Sequence, residues 1–473
     1  MDPMVEGASW LDEELAGSTF ADARLGQRLR RLLEQLGGAM GASLPLACQD
    51  WAATKAAYRF FDNERVSEAQ ILAGHFAATA SRVAAIEGPI LILHDTTEFV
   101  YHRVRPEPVG VIGQYPCRNT SYDRRQLYTV CGLLMHSSLG VTPDGLPLGL
   151  CAIKFWTRAN LKGSSTLKRH INPTRVPIEQ KESLRWLDNM RQASALVADP
   201  ARCIHVGDRE GDIYELFVAA HELGTHFLVR SCVDRLTDDG ARTLMAAMET
   251  VQGQGEHRID VRDDKGRSSQ ARLTIKYHRL TVRPPLAKQR RYPALALTVI
   301  CADEQGAPEN RQPIHWRLIT DLPVTCVDEA IAKIGWYALR WKIELFHKIL
   351  KSGCRAEEAK LRSAERLVNL LALFCILAWR VFWLTMLNRT VPQASPRLVF
   401  TPPEIRLLDR LIKNKTVSPA PTLAHYLTKI ARLGGYLARA KDPPPGNMVL
   451  WRGLSRLTDI ELGATLGTGL MGN

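Results

Sequence analysis

The ten cysteines of this chain include no C-x-x-C pair and no close Cys/His spacing of the zinc type, which excludes a recognisable zinc module and reads as free thiols in a reducing compartment. There is no internal repeat and no low-complexity tract, so the divisions of the chain must come from changes of pattern. The opening segment, MDPMVEGASWLDEEL, lacks the basic-then-apolar layout of a secretory signal, and a cytoplasmic protein is expected. Acidic residues are in the minority, 49 against 62 Lys plus Arg, leaving a net charge of +13. That balance favours a polyanionic partner, most simply nucleic acid. One apolar run, Leu367 to Leu387, is long enough to span a bilayer, but it carries Asn369 and Arg380 and reads as a buried helix with no membrane partner. With 473 residues, 45% hydrophobic and 23% charged, the chain can bury real cores in several domains.

Changes of pattern divide the chain. Residues 1–86 read as a helical domain, with Leu25, Leu29, Leu32, Leu33 and Leu36 at helical spacing. Residues 1 to 70 hold eleven acids and seven bases, so DNA binding there would need a localised set such as Arg24, Arg28, Lys55, Arg59 and Arg65. Residues 87–388 read as an α/β domain: the apolar runs PILIL, LYTVCGLL, CIHV and HFLVRS alternate with polar turns and a helix. Strict alternation in ARLTIKYH marks an inserted antiparallel β-sheet at about 235–320. From Asp328 to about 388 the pattern is helical, and a Pro-rich stretch leads to a last helical region, 389–473.

Asp95 and Asp208 each stand directly after an apolar run, where a strand end would aim a carboxylate at a cleft. Either alone reads as an N-cap or turn residue. A third acid changes the reading. On one continuous helix, Tyr337, Arg340, Trp341, Glu344, Lys348 and Lys351 share a face, opposite an apolar stripe of Leu339, Ile343, Phe346 and Leu350. A solvated surface helix explains the charges but not the Tyr and Trp among them. An acid flanked by Tyr, Arg and Lys suits a phosphodiester site, with one ligand for a divalent metal and several donors for phosphate oxygens.

The spacing Y-x(2)-R-x(3)-E-x(6)-K in YALRWKIELFHKILKSG resembles the signature of the DDE transposases of the insertion-sequence-four group. HDTTEF and GDREGDIYEL resemble that group's two Asp motifs, KAAYRFFDN its N-terminal DNA-binding domain, and TPPEIRLLDRL with IARLGGYL its C-terminal dimerisation region. The resemblance implies an RNase-H-like catalytic core flanked by helical N- and C-terminal domains. It implies that Asp95, Asp208 and Glu344 hold two Mg²⁺ or Mn²⁺ ions, and that Tyr337, Arg340 and Lys351 grip a DNA phosphate, with Lys348 and Arg230 as further DNA contacts. Trp316 and Trp341 match positions where the group places tryptophans around a flipped base. Glu98, Glu210 and Asp212 are expected to support or cap the site and not to bind metal. The implied activity is cut-and-paste transposition: nicking at double-stranded DNA transposon ends, hairpin formation and opening, and strand transfer into target DNA, by a homodimer in a paired-end complex. Two rivals are an RNase-H-like nuclease without strand transfer and a catalytically silent, transposase-derived DNA-binding protein.

Overall fold

The computed structural model describes residues 9–116, 127–158, 176–237, 240–262, 268–306, 308, 309, 311–412 and 421–470. The first eight residues, part of the segment read above for a secretory layout, lie outside these.

Five helices open the fold: α1 (Trp10–Leu15), α2 (Ala23–Gly38), α3 (Leu44–Cys48), α4 (Trp51–Phe61) and α5 (Glu68–Ala84). Their starts are written in the sequence. Asp22 and Asp50 accept backbone N–H groups at the first turns of α2 and α4, and Ser67 with Gln70 forms a capping box on α5. Leu29, Leu32, Leu33 and Leu36 of α2 are all buried, as their spacing predicts.

The centre is a ten-stranded sheet. Its first strands are β1 (Ile90–Val100), β2 (Val111–Pro116), β3 (Leu127–Val141) and β4 (Pro147–Trp156). After α6 (Leu184–Val197) come β5 (Cys203–Gly207), α7 (Tyr214–Leu223), β6 (His226–Arg230) and α8 (Leu244–Glu249), then β7 (Gly255–Arg262), β8 (Ser268–Val282), β9 (Leu295–Glu304) and β10 (His315–Thr320). The order is β2-β3-β1-β5-β6-β10-β9-β8-β7, with β4 on β3. β1, β5 and β6 run parallel and the remaining pairs are antiparallel. The PILIL run is buried on both faces, as a central parallel strand requires.

The strands from 255 to 320 are antiparallel, and β10 pairs with β6, so they continue the central sheet. One expectation changes. β1 does not stop before Asp95: it pairs with β3 from Leu91 to Val100, so the polar stretch HDTTEF is strand and Asp95 lies within it.

The chain closes with α9 (Val327–Ala338), α10 (Trp341–Lys348), a π turn at Ile349–Gly353, α11 (Ala364–Thr390), α12 (Pro402–Leu411), α13 (Leu423–Leu433) and α14 (Asn447–Leu470). Of the membrane-length apolar window in α11, 94% is buried inside the fold, so α11 is a core helix. Its C-terminal half, through Leu384 and Leu387, forms one apolar cluster with Phe400, Leu408, Leu427, Ile430 and Leu450.

Candidate active site

Strand register brings the two aspartates together. β1 and β5 pair in parallel up to Leu93 opposite Val206, and two more residues along each strand lead to Asp95 and Asp208. Asp208 follows β5 directly and caps a single 3₁₀ turn, its Oδ1 accepting the Glu210 backbone N–H at 2.9 Å. Gly207 and Gly211 flank it for a steric reason: a Cβ at either would stand 2.8 Å or 3.0 Å from the Trp186 ring. Burial pushes the Asp208 carboxyl up, and the neighbouring charges of Asp95 and Glu210 push the same way.

Glu344 comes from α10. The helix expected to be continuous through Tyr337 and Glu344 is tightened at its middle, where Arg340, Lys342 and Ile343 donate backbone N–H bonds three residues back. The apolar stripe is as expected, with Ile343, Phe346 and Leu350 fully buried. The polar face is not uniform. Tyr337 is buried, its ring edge-on to Trp316 of β10 at 5.3 Å, because α9 lies against the sheet whereas α10 borders the cleft. Trp341 is exposed, with Lys342 Nζ 5.3 Å from its ring centre.

Arg340 links the acids. Its Nη1 is 3.9 Å from Asp95 Oδ1, and its Nη2 donates to Glu344 Oε1 at 2.5 Å. Burial works against the guanidinium charge, but the Glu344 and Asp95 carboxylates outweigh it. Asp95, Thr96, Thr97, Glu344, His347, Lys348, Lys351 and Ser352 line an open cleft of about 400 Å³. Lys351 Nζ lies 4.0 Å from Glu357 and faces the Phe99 ring at 5.7 Å. Arg230, at the end of β6, donates to the His315 carbonyl at 3.2 Å, on the Trp316 side of the sheet.

Three further acids stand near Asp95 and Asp208 in the sequence. Asp212 is buried and accepts the backbone N–H groups of Cys232 and Val233 while pairing with Arg235, which fixes the loop after β6. Glu210 pairs with Arg185, and Glu98 faces solvent. His347 was missed in the sequence: its Nδ1 is 3.6 Å from Asp95 Oδ2 and its Nε2 bonds the Ser137 hydroxyl at 2.8 Å. Position three after Glu344, one helical turn on, was the available signal.

The donor set suits a hard divalent cation: carboxylate oxygens, two of them on neighbouring strands, with Asp208 disfavoured as an anion until a positive charge arrives. As the side chains stand, among the described residues no three Asp, Glu, His or Cys groups converge closely enough to hold an ion, and Arg340 occupies the gap between Asp95 and Glu344.

Two family models match the stretches on either side of this cleft in the sequence. Residues 7–66 match the transposase DNA-binding family, and residues 376–468 match the transposase Tn5 dimerisation domain. Together they support a Tn5-like transposase. They therefore support a DNA-processing enzyme that binds DNA and forms homodimers. Within the first match, Lys55, Arg59 and Arg65 are exposed, and Trp51 and Tyr58 stand exposed with them on the outer face of α4. Within the second, α13 packs on α14 and both pack on α11.

Proposed function

We propose that the chain is a cut-and-paste DNA transposase of the insertion-sequence-four type, with an RNase-H-like core acting through Asp95, Asp208 and Glu344. The observation that carries this reading is the placement of the two aspartates, each two residues beyond the last paired residues, Leu93 and Val206, of adjacent parallel strands, with Glu344 tied to Asp95 through Arg340, in a chain whose two matched stretches are a transposase DNA-binding region and a transposase dimerisation domain. Two Mg²⁺ or Mn²⁺ ions held by the three carboxylates would supply neutralisation of the attacking and leaving oxygens in an in-line displacement.

The protein's own groups do the rest. With the carboxylates engaged elsewhere, Arg340 is freed to pair with a phosphate, and Lys348 and Lys351 on the same wall of the cleft add charge-assisted donors. Tyr337, its ring edge-on to Trp316, holds that wall against β10. Trp341 gives an extruded base a stacking surface. Arg230 contacts DNA on the β10 side. Nicking, hairpin formation, hairpin opening and strand transfer are all phosphoryl transfers, so one cleft serves them in turn. The α11–α14 region joins two copies so that two ends are held before cutting.

The test is incubation of the full chain with DNA carrying the element's own ends, Mg²⁺ and a target plasmid. Nicks, hairpins and joined products support the reading. Cutting without joining would leave a nuclease, and end binding that metal does not change would leave a silent DNA-binding protein.

A further inference from the structure

Three histidines are buried completely where β1, β3 and β5 meet α6: His94, His136 and His205, with the Trp186 ring against His94 and His136. A buried imidazole is costly unless its nitrogens are paired. Asn189 Nδ2 donates to Ser138 Oγ at 2.9 Å. Ser138 Oγ in turn bonds His94 Nδ1 at 2.9 Å. His94 Nε2 bonds His205 Nδ1 at 2.8 Å, and His205 Nε2 bonds Ser194 Oγ at 3.1 Å. The four hydrogen bonds form one chain from α6 through β3, β1 and β5 back to α6. The backbone pairing of β1 with β5 ends at Leu93 and Val206, and the His94–His205 bond ties the same strands just before they release Asp95 and Asp208.

A second tie runs beside the carboxylates. Arg185 of α6, its side chain only 10% exposed, donates from Nε to Thr96 Oγ1 at 3.2 Å and from Nη2 to Glu210. Thr96 follows Asp95 in β1. Glu210 supplies the backbone N–H that holds Asp208. The Thr96 hydroxyl, accepting from Arg185, also bonds His136 Nδ1 at 2.9 Å, which joins this tie to the histidine layer. Each aspartate is thus flanked on two sides, and of the groups that do so only Thr96 also lines the cleft.

We propose that the His94–His205 pair and the Thr96–Arg185–Glu210 bridge form a frame that sets the separation of Asp95 and Asp208, with Arg185 and His94 as positioning residues. This rests on the reading of those aspartates as metal ligands. Two like charges on neighbouring strands repel, and the segment after Asp208 is a single 3₁₀ turn with little stiffness of its own. Mg²⁺ accepts only near-octahedral geometry, so a carboxylate pair allowed to splay loses it first. Partners of ligating groups contribute about 10- to 100-fold in metal affinity.

The experiment uses the full chain without DNA and titrates Mn²⁺ by calorimetry, followed by cleavage of end DNA in Mg²⁺ and in Mn²⁺. Glu210→Ala, whose side chain is 59% exposed, breaks the bridge with little risk to folding, and Arg185→Gln breaks it from the other end. Each should weaken Mn²⁺ binding by roughly 10-fold or more and reduce cleavage in Mg²⁺ further than in Mn²⁺. The double variant should be no worse than either single, because both cut the same link. Glu210→Gln, which keeps an acceptor oxygen, should recover binding, whereas Arg185→Lys, which cannot reach both partners, should not. Asp208→Asn marks complete loss of a ligand. If Asp208→Asn loses Mn²⁺ while Glu210→Ala and Arg185→Gln bind it like the wild type, the metal reading stands and the frame is overturned. If Asp208→Asn binds Mn²⁺ as the wild type does, the metal reading falls and the frame with it.

Discussion

Arg340 donates through Nη2 to Glu344, one turn further along α10, while its Nη1 lies within ion-pair range of Asp95. The guanidinium therefore holds two carboxylates that the proposed chemistry needs elsewhere, and it must change partners when DNA and metal arrive. Arg340→Ala should lower cleavage by roughly 100-fold, as loss of a charge-stabilising donor does. It should also reduce the slope of log binding constant against log salt by about 0.9. Titration of end binding from low to high salt reads the slope, and an unchanged slope would return Arg340 to a purely intramolecular role.

Asp95→Ala, Asp208→Ala and Glu344→Ala should each abolish nicking and leave end binding nearly intact, because the basic DNA surface is untouched. Ca²⁺, tolerant of looser coordination, should support binding with little cutting. Gel-shift and nicking assays on the same preparations separate the two, and a variant that still cuts would take that residue out of the site.

The two tryptophans should part company. Trp341 is exposed at 43%, so Trp341→Ala should pass the first nick and accumulate nicked DNA, since only hairpin formation needs an extruded base. Trp316 packs on Tyr337, and Trp316→Ala should cost about 2 kcal/mol of stability as well. Product analysis on denaturing gels with a parallel unfolding curve distinguishes them. Equal loss of both steps in Trp341→Ala would mark it as packing only.

Glu14 ties the N-terminal helices to the core. Burial alone would push its carboxyl up, but the bond to His75 Nδ1, followed by the Arg82 guanidinium, holds it down at about 2, and Trp379 Nε1 donates to it at 3.0 Å. A carboxyl held below its unfolded value contributes stability that is present above about pH 4.5 and is lost as the pH falls toward 2. Glu14→Gln should cost about 3 kcal/mol at neutral pH, by leaving its partners uncompensated, and should flatten that acid limb. Urea unfolding between pH 2 and pH 7 measures both.

Leu462 is 55% exposed on α14, inside the stretch that matches a dimerisation domain. Leu462→Glu should leave the fold unchanged and weaken self-association at least 10-fold, the effect of losing about 1.4 kcal/mol at an apolar contact. Sedimentation of the variant with and without end DNA checks it. Wild-type association would place the contact on another face.

The apolar runs showed where the central strands lie because a strand buried on both faces is mostly apolar: PILIL is wholly so, and CIHV carries only His205, both of whose ring nitrogens are hydrogen-bonded. The extension of β1 through His94 to Val100 was hidden because its pairing energy comes from β3, more than thirty residues away, and its polar side chains face a cleft. The tightened turn at Leu339 and Arg340 was equally hidden. Neither residue breaks a helix, and the change is imposed by α9 and α10 lying on different surfaces. His94, His136 and His205 belong to no motif and are far apart in the chain, so only the strand order makes them neighbours. The acids and bases of the cleft were legible for the opposite reason: Tyr337 to Lys351 is one local segment, whose spacing survives folding.

Helix α11 touches α2, α4 and α5 on one side, β4 and α10 at the sheet, and α13 and α14 beyond. One apolar rod is thus the common wall of all three regions. A foreign N-terminal region brought in by recombination would have to fit the ridges of this helix or leave it bare to water.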